Sequence, residues 1–190
     1  MTRDDVMRET VAHVRRVGNL MLDAIGNLQR RAMNHDQSKF SPEEFDAFAA
    51  ETPALRGLTY GSPEYKAALD RLGPALQHHY RSNNHHPEHY PASPEVPGVY
   101  LMDLLSLIEM LADWKAATER HANGNLPKSI VDNAKRFGYD DRMACLLART
   151  AANLGWITEV EYQAMPVVEA QHAEASQRAA GGEPPSPQNR

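Results

Sequence analysis

The stretch Val99-Tyr100-Leu101-Met102-Asp103-Leu104-Leu105-Ser106-Leu107-Ile108-Glu109-Met110-Leu111-Ala112-Asp113-Trp114-Lys115-Ala116-Ala117-Thr118-Glu119-Arg120 decides the fold. Its apolar residues fall on every side of a helical wheel, the pattern of a helix at the centre of a core. The segments around it also read as helices, and no period-two strand pattern appears. Residues 5 to 33 place Val11, Val14, Val17, Met21, Ile25 and Leu28 three and four apart, which predicts one long amphipathic helix. Ser41-Pro42-Glu43-Glu44 reads as a helix start, with Ser41 as N-cap and Glu44 set for a capping box. Ser62-Pro63-Glu64 repeats the signal and opens a helix towards His79. Residues 81 to 98, rich in Pro, Asn and His, predict a loop that lines a site. Shorter helices are expected at about 127–137, 140–154 and 158–176. The expectation is an all-α, single-domain helical bundle over residues 1–176. The Gly/Pro/Ser/Gln-rich tail at 177–190 is expected to be disordered.

Composition narrows the function. The chain has 190 residues, 42% hydrophobic and 24% charged, enough for a proper core. No apolar run approaches the roughly 20 residues that span a bilayer, and the N-terminus has no signal-peptide character. The one cysteine, Cys145, fits a reducing cytoplasm. A net charge of -5 argues against a non-specific nucleic-acid binder. It leaves room for a small anionic substrate, because a metal ion and a few local cations outweigh it at short range. An apolar helix such as 140–154 is a possible homodimer surface.

The chemistry concentrates in the histidines. His35-Asp36 lies in Asn34-His35-Asp36-Gln37-Ser38-Lys39-Phe40, and a histidine-rich stretch runs from His78 to His89. Imidazole nitrogens and carboxylate oxygens suit a divalent transition metal. Adjacent ligands share an ion only where the backbone turns, as at a helix end. His13, in line with Val17, Leu20 and Ala24, is expected to face inward as a third ligand. A further carboxylate is sought on the apolar helix. Asp113 is the first choice, Glu109 one turn earlier is a supporting or catalytic group, and Asp103 suits the helix dipole.

His13, then His35-Asp36, then Asp113 resembles the H…HD…D signature of the HD-domain phosphohydrolase superfamily. Leu111-Ala112-Asp113 resembles the stretch that supplies the last ligand in (p)ppGpp hydrolases. His35-Asp36-Gln37-Ser38-Lys39 has the His-Asp-x-x-Lys form found, among others, in HD-GYP phosphodiesterases. More specifically, the chain is similar over roughly residues 10–152 to a phage and prophage family of uncharacterised proteins. The stretches that carry this likeness are His35 to Phe40, Leu58-Thr59-Tyr60-Gly61-Ser62, His78-His79-Tyr80, Asn84 to His89 and Asp113 to Ala117.

The HD resemblance implies a metal held by His13, His35, Asp36 and Asp113. In branches with two metals, the extra histidines bind a second ion, here His79, His85 and His86. His85-His86 with Tyr90-Pro91 is similar to HD-GYP elements, but the glycines of that group are missing, so a cyclic-dinucleotide substrate does not follow. The implied activity is hydrolysis of a nucleotide or related phosphate ester by metal-activated water. Asp36, Lys39 and Glu109 are the candidate catalytic residues. Lys39, Arg81 and Lys115 would neutralise phosphate oxygens, and Tyr80, Asn84 and His89 would shape the base or sugar pocket. The ligand types leave Mn²⁺, Fe²⁺, Co²⁺, Ni²⁺ and Mg²⁺ open, as one or two ions. Two alternatives remain: a di-iron oxygenase on the HD fold, and a non-enzymatic phage or host interaction protein with a structural metal.

Overall fold

The computed structural model describes residues 1–55, 57–58, 62–120 and 124–180, with side chains to residue 176. Every regular element among them is helical, as expected for an all-α chain. No helix among the described residues is long and apolar enough to cross a membrane. Thr59, Tyr60 and Gly61 of the family-like stretch, and tail residues 181–190, lie outside the described residues.

The backbone forms two compact units, residues 1–110 and 111–190. The first begins with α1, Arg3–Asn34, started by a reciprocal Thr2–Asp5 capping box and unbroken through Gly18 and Gly26. It contains no buried residue. His35 leaves helical geometry and Asp36 takes the left-handed conformation (φ 55°), the one non-glycine residue with positive φ among those described. Asp tolerates this region because its short side chain bonds locally. A 3-10 turn at Gln37–Phe40 follows, then α2 at Phe45–Leu55. The helix expected to start at Ser41 thus starts one turn later, because Glu44 is drawn inward and makes no capping box.

α3, Pro63–Ser82, opens on Ser62, which accepts from the Tyr65 amide. Gly73 (φ 47°) and Pro74 kink it: proline cannot donate to the helical ladder, and only glycine takes this backbone cheaply. α2 packs on α3. The histidine-rich loop contains 3-10 turns at Pro87–His89 and Gly98–Leu101. Gly98 approaches the Pro87 carbonyl so closely that a Cβ would collide with it. α4, Leu104–Thr118, therefore starts five residues later than its apolar run. Asp103 caps it, its Oδ1 accepting from the Ser106 amide at 2.7 Å. The interior of the first unit is mixed: Leu72, Val99 and Met110 are buried, and so are Glu44, His79, His85 and Ser106.

The second unit holds the end of α4, then α5 (Leu126–Phe137), α6 (Asp141–Asn153), α7 (Glu159–Gln163) and α8 (Pro166–Ala180). Asn125, Asp140 and Thr158 cap three of them through side-chain oxygens. Trp114 stacks on Phe137 with ring centroids 6.0 Å apart. The helix expected at 158–176 is split at Met165-Pro166. α8 continues to Ala180, so residues 177–180 are helical and not the start of a disordered tail. The apolar face of α6 (Ala144, Cys145, Leu147, Ala148, Ala151) is buried, and α6 packs on α5, α7 and α8. The face considered for a homodimer is thus already used inside its own unit.

Candidate metal centre

The end of α1 delivers the first two groups. The left-handed turn at Asp36 reverses the chain, so His35 Nε2 stands 3.5 Å from Asp36 Oδ2. α3 contributes His79, whose Nε2 lies 3.4 Å from Asp36 Oδ1. The loop contributes His85, with Nε2 3.3 Å from the same oxygen, and His86, with Nε2 2.9 Å from His79 Nε2. Asp36, His79, His85 and His86 each place one ligand atom within 4.8 Å of the others. His35, His85 and Glu109 form a second such set.

Two carboxylates, the buried Glu44 and the partly buried Glu109, stand behind the ring. Glu109 Oε1 is 2.9 Å from His35 Nδ1 and 3.2 Å from His85 Nδ1. Its Oε2 takes the Arg31 guanidinium at 2.7 Å. Glu44, fully buried, places Oε1 2.7 Å from His78 Nδ1 and Oε2 2.9 Å from His79 Nδ1. An ionised carboxylate only accepts, so each Nδ1 must carry the proton and donate. His35, His79 and His85 then present bare Nε2 lone pairs, all aimed at Asp36. This is the carboxylate–histidine arrangement that fixes the tautomer of metal-ligating imidazoles.

The electrostatics favour the neutral ligand form at His79 and the charged form at His85. Burial opposes the charge on Asp36, but the close His85 and the charges of Lys39 and His35 outweigh it and hold the carboxyl far below the usual range. Burial likewise opposes Glu109, and His35, His85 and Arg31 overcome it. Burial pushes the His79 imidazole down, towards the neutral ligand form, against the pull of Asp36 and Glu44. His85 moves the other way: burial is outweighed by Asp36 and Glu109.

Asp36 Oδ1 and His85 Nε2 are buried without a hydrogen-bond partner, which ordinarily costs about 1–3 kcal/mol per group. A cation between them removes the cost. Two ligands about 2.1 Å from a shared ion stand about 3.4 Å apart at the tetrahedral angle and about 3.0 Å apart at a right angle. The observed separations, 2.9 to 3.5 Å, span those values. The cluster could therefore hold a divalent metal ion.

A family described as a family of unknown function, DUF5662, matches residues 2–159. The chain belongs to this family. No curated protein and no solved structure matches it. The matched residues include every member of the cluster, from Arg31 to Glu109.

The expected residues fall unevenly. His35, Asp36, His79, His85, His86 and Glu109 come together. Lys39 joins them, with Nζ 2.6 Å from Asp36 Oδ2. His13 does not: it is exposed on the unbroken helix that ends immediately before His35, and some 22 residues at 1.5 Å each put it about 33 Å away along the axis. The inward face read for it is not buried, because α1 buries nothing. Asn84 is turned from a substrate role, its Oδ1 accepting from Arg31 at 2.8 Å. His89 is exposed with Nδ1 3.1 Å from the Tyr80 carbonyl, fastening the loop. Arg81 is exposed on the last turn of α3. Asp113 and Lys115 belong to the second unit, where Lys115 pairs with Glu119 at 3.2 Å.

Glu44 and Arg31 went unread in the sequence. Glu44 sat in a complete capping signature, and only its partners 34 and 35 positions away reveal its use. Asp103 has a local role: Asp103→Ala should cost about 1 kcal/mol in thermal unfolding as a lost cap. Asp103→Asn, which keeps the cap, should leave both stability and metal content unchanged.

Proposed function

We propose that the chain is a metal-dependent phosphohydrolase acting on a nucleotide or related phosphate ester. The observation that carries this reading is Asp36 facing the Nε2 atoms of three imidazoles, with Lys39 beside it. Asp36, His79, His85 and His86 would hold the ion, with His35 and Glu109 available to a second. Asp113, one turn after Glu109 on α4, is kept as a ligand, in keeping with the H…HD…D resemblance. When bound, a divalent ion supplies Lewis acidity and a water of lowered pKa. Lys39, half-exposed at the edge of the cluster, is placed to neutralise a non-bridging phosphate oxygen. Glu109 and Arg31 hold His35 and His85 in register; Glu44 holds His79. Ser38 accepts from Asn83 Nδ2 at 2.7 Å and ties the turn after Asp36 to the end of α3.

The test is elemental analysis of protein purified without chelator, followed by a nucleotide hydrolysis screen with the identified metal restored. At least one equivalent of transition metal and metal-dependent phosphate release are expected. Metal-free protein that gains no stability from Mn²⁺, Co²⁺ or Ni²⁺ would end the proposal. Saturation at 100 times the dissociation constant should add about 2.7 kcal/mol to the unfolding free energy, and EDTA should reverse it.

A further inference from the structure

Three of the chain's four phenylalanines lie within nine residues, at Phe40, Phe45 and Phe48. With Lys39, Thr52 and Pro53 they line a groove of about 470 Å³ on the first unit, within the size range of ligand pockets. Phe40 and Phe45 are 71% and 52% exposed, more apolar surface than a settled core leaves beside a polar site. The groove shares its wall with the metal cluster. Phe48 meets the His79 ring edge-on at 5.5 Å, and Lys39 Nζ lies 5.3 Å over the Phe48 ring while bonded to Asp36. A phosphate drawn to Lys39 and the cluster would hold its ester group over Phe45 and Phe48.

We propose that this groove binds a planar aromatic or heteroaromatic group carried by the phosphate ester, so that the substrate class is aryl or nucleobase-bearing phosphates. The inference rests on the phosphohydrolase reading. Calorimetric titration of metal-loaded protein with phenyl phosphate and with methyl phosphate, equal in charge, separates the two. Phenyl phosphate should bind at least tenfold more tightly. Phe45→Ala, which leaves the cluster untouched, should erase that preference without changing methyl phosphate affinity. Equal binding of the two phosphates by the wild type, or a preference that survives both Phe45→Ala and Phe48→Ala, would overturn the groove alone. Binding of neither would overturn the phosphohydrolase reading and the groove with it.

Discussion

Asp36→Asn should yield folded protein that no longer retains metal through gel filtration, with affinity reduced at least 100-fold. Asparagine keeps the shape and can still bond to Lys39 through its carbonyl. It loses the anionic carboxylate that faces His79 and His85 through Oδ1 and His35 through Oδ2, at 3.3 to 3.5 Å. Three imidazoles remain, and none supplies the negative charge with which Asp36 offsets that of a divalent ion. Circular dichroism should be unchanged, because an amide accommodates the left-handed backbone at position 36 as readily as a carboxylate. Metal content per chain is the readout. Full occupancy in the Asn variant would remove Asp36 from the ligand set and with it the reading of the cluster.

Glu44→Gln should weaken metal binding by about 10- to 100-fold, the usual effect of removing a group that orients a ligand, although residue 44 touches no ion. The wild-type carboxylate accepts two N–H bonds at 2.7 and 2.9 Å. An amide has one accepting oxygen, and its NH₂ must face the other histidine. That histidine has to expose a bare Nδ1 and move its proton to Nε2. If it is His79, its ligand nitrogen becomes a donor and is lost to the ion. Glu44→Ala should be worse for the fold, costing about 2–4 kcal/mol through a cavity and unsatisfied buried donors, or a fall in melting temperature of roughly 4–16 °C. A purely structural Glu44 would show the stability loss in Ala with no change of metal affinity in Gln. The two variants therefore separate positioning from packing.

Much of this was legible in the sequence, for identifiable reasons. The helices were, because three-and-four spacing and Ser-Pro starts are local signals; their true ends shifted where a long-range partner intervened, as at Glu44. The His35-Asp36 turn was legible because two adjacent ligands need a reversal of the chain. The convergence of His79, His85 and His86 was suggested by their density and by a resemblance. His13 misled because helical spacing identifies a face and not what covers it. Glu44 and Arg31 stayed hidden because Glu44 is defined by His78 and His79 and Arg31 by Glu109, partners tens of residues away that no local pattern records.

The span of those pairings has a consequence for how the chain is made. His35 meets Glu109 across 74 positions and His79 meets Glu44 across 35, so the cluster closes long loops, and contacts of large separation form late and slowly. A nascent chain emerging from the ribosome exposes α1, α2 and α3 before the carboxylate that orients His35 and His85 has been synthesised. Until residue 109 clears the exit tunnel, His35 and His85 have neither their tautomers fixed nor their charges matched. The order of synthesis thus places assembly of the centre after the emergence of α4.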